Sequence, residues 1–292
     1  MVGKSRRIGE VVVQSVIRLS GIAAVVFVIL ILLLLLRDGL PTFRFVGVTQ
    51  FLFGQDWFPL SDKFGILPLI LGSLLVTACA VAIAVPLGIA VAIYIAEVAS
   101  PTVKEILKPA VEILAAIPSV VIGFIGLVVL APYLKRLLDL PTGLTTLTGA
   151  LMLAFMALPT IVSIAEDAIT AVPAEYRAAS LALGATRWQT IRRVVVPAAA
   201  SGIFAGVMLG IGRVIGETMV VLMVTGNAAV MPRTILEPVR TMTATIAAEM
   251  GETVQYSPHY FSLFAIGLVL FAITFVINVA AGIALRRTRG RR

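Results

Sequence analysis

Long apolar runs alternate with short polar segments along the whole chain. Six runs are candidates to cross a bilayer: Leu19–Leu36, Leu67–Ile95, Ile113–Leu130, Leu147–Ile164, Ala198–Val224 and Phe261–Leu285. A spanning helix needs about 20 mainly apolar residues. Only helices and closed barrels satisfy their backbone inside lipid. The runs are unbroken rather than alternating, so the pattern predicts an all-α membrane protein with six transmembrane helices. The second and fifth runs are long enough to tilt or to extend past the bilayer.

Composition agrees. The 292 residues are 60% hydrophobic and 13% charged, with a mean hydropathy of +1.07. A soluble domain carries about 25% charged residues. The net charge of +8 follows from topology. With both termini placed inside, fifteen Lys and Arg fall on cytoplasmic segments and seven on external ones. That bias orients a membrane protein and gives no reason to invoke nucleic acid. The basic start followed by an apolar run resembles a signal peptide. Arg37-Asp38-Gly39 follows Leu36 in place of a small-x-small cleavage site, so the segment reads as an uncleaved anchor. Cys79, the single cysteine, lies in the second run, which excludes an intramolecular disulfide. The single histidine, His259, lies in an external loop without a partner Cys or His. It reads as a surface residue, and no metal site is expected.

The polar segments differ in character. Arg37 to Ile66 is rich in aromatics, including Phe43, Phe51, Trp57 and Phe64, as expected of a helix lying at the outer headgroup level. Arg240 to Glu252 carries Thr241, Thr243 and Thr245 among small residues and predicts a helix dipping toward the membrane interior. Ser73 and Thr77 share a face of the second run. Thr160, Ser163 and Asp167 share one in the fourth, where Pro159 should bend the helix.

Ionisable residues inside a span are costly and mark function. The fifth run holds two, Arg213 and Glu217. If the helix is continuous, they are neighbours on one face. At about 100° per residue, Gly202, Gly206, Gly210, Arg213 and Glu217 fall within roughly 80°. The pair thus extends a glycine seam that marks close helix packing. Arginine presents a planar fork of donors suited to phosphate or carboxylate oxygens, and Glu217 would hold that fork until an anion competes for it. A purely structural salt bridge explains the spacing as well.

Between the fourth and fifth runs lies EYRAASLALGATRWQTIRRVVVP, Glu175 to Pro197. It predicts two short helices broken at Gly184, with Ala178, Ala179 and Ala182 as a small-residue face. An acidic residue, an Ala pair and a Gly five residues after the second Ala resemble the EAA loop of ABC-importer permeases, where the loop is the coupling helix that docks on the ATPase subunit. Tyr176 and Arg177 stand between Glu175 and the Ala pair, so the acidic position matches only approximately.

The resemblance extends from about Pro41 to the last span. FGILPLILGSLLVT at Phe64–Thr77, VPLGIAVAIYIAE at Val85–Glu97, IPSVVIGF at Ile117–Phe124, LPTIVSIAEDAITAVP at Leu158–Pro173 and GRVIGETMVVLMVTGN at Gly212–Asn227 resemble phosphate-specific ABC transporter permeases of the PstC type. This implies the type I importer permease fold and half of a phosphate pathway through a bacterial or archaeal cytoplasmic membrane. It implies a second, homologous permease, two copies of an ATPase subunit and a periplasmic or extracellular phosphate-binding protein as partners, beside membrane lipid. Arg213 and Glu217 match the family's charged pair in the penultimate span, implicated in phosphate passage. Glu175, Ala178, Ala179 and Gly184 would serve ATPase coupling. No phosphate-binding loop of the type G-x-x-x-x-G-K-[ST] occurs, so no cofactor is expected on this chain. ATP and Mg would sit on the partner ATPase.

The expected layout is a cytoplasmic segment at 1–18, a permease domain at 19–285 with its importer core at 67–285 and coupling loop at 173–197, and a basic tail at 286–292. Permeases for sulfate or molybdate are the nearest alternative, since arginine binds any of these oxyanions. A secondary transporter would show inverted repeats and has no use for a docking loop.

Overall fold

The computed structural model describes the backbone of residues 2–289 and side chains from 13 to 283. The expected basic tail and Lys4, Arg6 and Arg7 therefore fall outside the described side chains.

Among the described residues, six helical segments are long and apolar enough to cross a membrane. The first is α1 (Val2–Gly39). After a 3-10 turn at Leu40–Arg44 come α2 (Val48–Phe53) and a hairpin of β1 (Trp57–Phe58) and β2 (Lys63–Phe64), paired antiparallel with Trp57 opposite Phe64. The second span is α3 (Leu67–Ile93), which begins with Pro68 in its first turn and ends in a π-helical turn at Tyr94–Val98. Next is α4 (Pro101–Ala116), outside the spans. The third span is α5 (Ser119–Ile125), a π-helical turn and α6 (Ala131–Leu137). The fourth is α7 (Thr146–Thr170). The intervening loop holds α8 (Ala174–Ala182) and α9 (Arg187–Thr190), which runs through a π-helical turn into α10 (Val196–Ile215), the fifth span. Then come α11 (Met219–Val224), α12 (Met242–Glu249) and the sixth span, α13 (Pro258–Arg289).

Two of the boundaries that differ from the sequence expectation are helix breaks inside an expected run. The third span starts at Ser119 rather than Ile113. Pro118 disfavours helix at the residue before it, and Ile117 is extended, with ψ 126°. The residues before the break form the amphipathic α4. The fifth span ends at Ile215 instead of continuing to Val224. Gly216 closes α10 and Glu217-Thr218 open the short α11.

At the centre lies α7, packed against both α3 and α10. The glycines explain how closely. A Cβ at Gly88 of α3 would lie 2.7 Å from Ile161 Cγ2, and one at Gly210 of α10 would lie 2.5 Å from Ile161 Cγ1. Gly206 faces Ile164 and Gly202 faces Ala168. The glycine seam is thus the contact between α10 and α7, as its arc predicts. Helix α1 rests against α13, and its residues from Val13 to Leu34 are largely exposed, as lipid-facing residues would be.

A second hydrophobic cluster gathers Val46, Phe51, Trp57, Phe64, Leu69, Met242, Leu263 and Ile266. Several aromatics expected at the headgroup level are therefore core residues, while Phe45, Phe53 and Phe58 stay exposed. The expected helix at 240–252 is present as α12, with Thr241 accepting from the Ala244 N–H at 3.2 Å. His259 is no free surface residue. Its Nε2 lies 2.7 Å from Glu249, which also accepts from Trp57 Nε1 and from Arg240. One carboxylate thereby ties the hairpin, α12 and α13 together.

Candidate functional site: a broken fifth helix and the loop before it

Arg213 sits in the last turn of α10. Its side chain donates to Thr160 Oγ1 of α7 at 3.3 Å. No ion pair joins it to Glu217 among the described residues. The break at Gly216 ends the helical repeat that would have stacked them, so the expected intrahelical pair is corrected to two residues on either side of a turn.

Glu217 has different work. Its carboxylate accepts from the backbone N–H groups of Met219 at 3.0 Å and Val220 at 3.2 Å. Those are unsatisfied donors of the first turn of α11, and an anionic group is favoured there. Its carbonyl accepts from Thr243 Oγ1 at 2.9 Å, which fixes the turn against α12. Glu217 also lines a small niche with Ser73, Thr77, Thr241 and Thr243. Ser73 Oγ in turn accepts from Met242 N–H at 2.9 Å. Hydroxyls of α3 and of the start of α12 thus line a niche with one carboxylate. Ser73 and Thr77 share one face of α3, as their spacing predicts, and the structure brings that face to Glu217. The signal for the break was present: Gly followed by two polar residues before an apolar run is a helix stop and a new start.

The loop between the fourth and fifth spans folds as its residues predict. Gly184 has φ +81°, which costs glycine nothing. Gly184 N–H donates to Leu181 O and Ala185 N–H to Ser180 O, the two bonds of a Schellman closure. Helix α9 then opens on a capping box between Thr186 and Gln189. Ser180 Oγ and Thr190 Oγ1 lie 2.9 Å apart and join the two helices. Glu175, Ala178, Ala179 and Gly184 are all exposed. Beside them is an open cleft of about 560 Å³ lined by residues including Tyr176, Ala179, Leu183, Gln189 and Arg193. Small residues and an open cleft thus lie side by side on the exposed face of this loop.

Two ionic anchors at this end escaped sequence reasoning, because their partners are far apart in the chain. Arg177 bonds Glu97 through Nε at 3.0 Å and again through its second terminal nitrogen. It also donates to the carbonyls of Ile169, at 3.0 Å, and Val172. Glu166 of α7, with only 3% of its side chain exposed, takes Lys104 at 3.0 Å and Lys108 at 2.8 Å, and Lys108 reaches Asp167 at 3.0 Å. The hydrogen bond to Glu166 raises the Lys108 ammonium above the ordinary lysine range, and the Asp167 bond adds to it. These contacts pin α4 to the end of α7.

Six apolar spans among the described residues, with a helix-turn-helix loop between the fourth and fifth, make a multi-pass membrane protein, and comparison with known proteins makes it an ABC transporter permease subunit of the inner membrane. The chain belongs to the family described as "Binding-protein-dependent transport system inner membrane component", which matches residues 84–290. It is 40% identical to the probable ABC transporter permease protein YqgH of Bacillus subtilis, over 94% of this chain and 90% of that one. It is 38% identical to the phosphate transport system permease protein PstC of Mesorhizobium japonicum, over 89% of this chain and 88% of that one. Among solved structures, a bacterial alginate ABC transporter matches with a TM-score of 0.66 at 15% identity, covering 93% of this chain and 94% of that one. The inward-facing MetNI methionine transporter matches with 0.60 at 18% identity, covering 80% and 99%. At these identities the structural matches establish the fold.

Proposed function

We propose that this chain forms half of a pathway for inorganic phosphate, in complex with a second, homologous permease. Two ATPase subunits drive it from the cytoplasmic face, and an external phosphate-binding protein delivers the substrate. The observation that carries the reading is its similarity, over nearly its whole length, to permeases named for phosphate transport. The site agrees chemically. Among the described residues, Arg213 is the one basic residue within the spans' interior stretches, and it keeps its fork largely uncommitted, with a single long bond to Thr160. Glu217 sets the turn that follows it. Both termini lie in the cytoplasm on this reading, because the Lys and Arg bias places α4, α8 and α9 inside.

The test is reconstitution in lipid vesicles with the second permease, the ATPase and the phosphate-binding protein. ATP-driven uptake of labelled phosphate, undiminished by excess sulfate or molybdate, is expected. The chain without its partners should give none. Uptake of sulfate or molybdate in preference to phosphate would move the substrate assignment to that oxyanion.

A further inference from the structure

Arg177 lies in the loop beside the exposed docking face, yet its side chain is only 25% exposed, and that of its partner Glu97 is 11%. Its side-chain bonds all leave α8. Two go to Glu97, in the π-helical turn that ends the second span, one to Ile169 in the last turn of the fourth, and one to Val172 just beyond it. The covalent link from α7 to α8 is only residues 171–173. Carbonyls at a helix C-terminus carry partial negative charge, so a guanidinium there satisfies a carboxylate and two carbonyl acceptors together. Lysine has the charge but not the fork. Nearer the C-terminal end of α8, Ser180 meets Thr190 at 2.9 Å, and Thr190 runs directly into the fifth span.

We infer that Arg177 and Glu97 form the tether that makes α8 move as one body with the second and fourth spans, so that displacement of the docked loop reaches the pathway. Arg177 is a positioning residue here and touches neither phosphate nor nucleotide. The inference rests on the docking reading of the loop. Without the tether the loop still folds, since its Schellman closure and capping box are local, and it still presents Ala178 and Ala179. Hydrolysis then continues while the short link at 171–173 fails to carry the motion to the second and fourth spans, and the fifth moves without them.

The experiment uses the assembled complex in vesicles, with ATP hydrolysis and labelled phosphate uptake measured on the same preparation. In a Cys79→Ala background, Arg177→Lys and the pair Glu97→Cys with Arg177→Cys are compared with the parent. Uptake per ATP hydrolysed should fall about tenfold or more in both, within the span of ordinary coupling free energies, while hydrolysis persists. Joining the two cysteines with a short bifunctional thiol reagent should restore the ratio, because a rigid body tolerates an internal cross-link. An unchanged ratio in Arg177→Lys overturns the tether, as does a cross-linked complex that stays uncoupled or loses uptake further. Failure of the loop reading looks different: Ala179→Trp would then leave uptake normal, or the parent complex would show no ATP-driven uptake at all.

Discussion

Replacing Arg213 by Gln separates a pathway role from a structural one, and the structure sets the magnitudes. Breaking a buried ion pair costs about 3–5 kcal/mol, because a charge is left without its partner. That penalty does not arise here. Arg213 makes no ion pair among the described residues, and Glu217 is satisfied by the Met219 and Val220 amides whether or not the arginine is present. What Arg213→Gln removes is one 3.3 Å bond to Thr160, and a typical hydrogen bond contributes about 1 kcal/mol net. Thr160 Oγ1 loses only a donor, and its own hydroxyl hydrogen stays free to bond a carbonyl one turn back in α7. Assembly of the four-component complex should therefore be close to normal in yield by size-exclusion chromatography. Uptake should not be. Removing one charged donor from a site where an anion must be stabilised costs about 10²- to 10³-fold in rate. Arg213→Lys should keep part of the activity, since a point charge still attracts phosphate. Complex that assembles fully and takes up phosphate at the parent rate would refute the pathway role. A yield that collapses with uptake per assembled complex unchanged would make Arg213 a packing residue.

Two further outcomes follow from local geometry. Gly210→Leu must push against Ile161 at the crossing of α10 and α7, and overpacking of this kind costs about 1–3 kcal/mol; a lowered thermal midpoint of the purified complex checks it, and an unchanged midpoint contradicts the close crossing. In the loop between the fourth and fifth spans, Ala179→Trp and Gly184→Val should part company. Ala179 is exposed, so Ala179→Trp should stay within about 0.5 kcal/mol of parental stability and still abolish ATPase association in a pull-down. Gly184→Val forces φ +81° on a branched residue at a cost of about 1–2 kcal/mol and should weaken the loop itself.

The membrane character, the number of spans and the loop with its turn at Gly184 were all legible in the chain. Each rests on a property of contiguous residues: hydrophobic length, the phase of small residues along one helix, or the demand of one turn for a positive φ. The glycine seam was legible for the same reason, and its partner helix was not. Gly202, Gly206 and Gly210 announce that something approaches closely, and only the packing names α7. The breaks at Pro118 and Gly216 lay between these cases. Hydropathy averaged over a window runs straight through both, although a proline and a Gly-Glu-Thr step stood in view.

Pairings between distant residues were decided by the tertiary structure alone. Glu249 collects Trp57 and His259, Glu166 collects Lys104 and Lys108, and Arg177 reaches back to Glu97. A charge four positions from another suggests a pair by proximity in the chain, as Arg213 and Glu217 did. Whether the pair forms depends on the backbone between them, and one turn at Gly216 sends Glu217 to the amides of α11 and leaves Arg213 facing α7. Sequence by itself determined where helices could lie in lipid, because that depends on burying apolar length. The fold decided which polar groups meet, because a buried charge takes whichever partner the packed helices bring within hydrogen-bond distance.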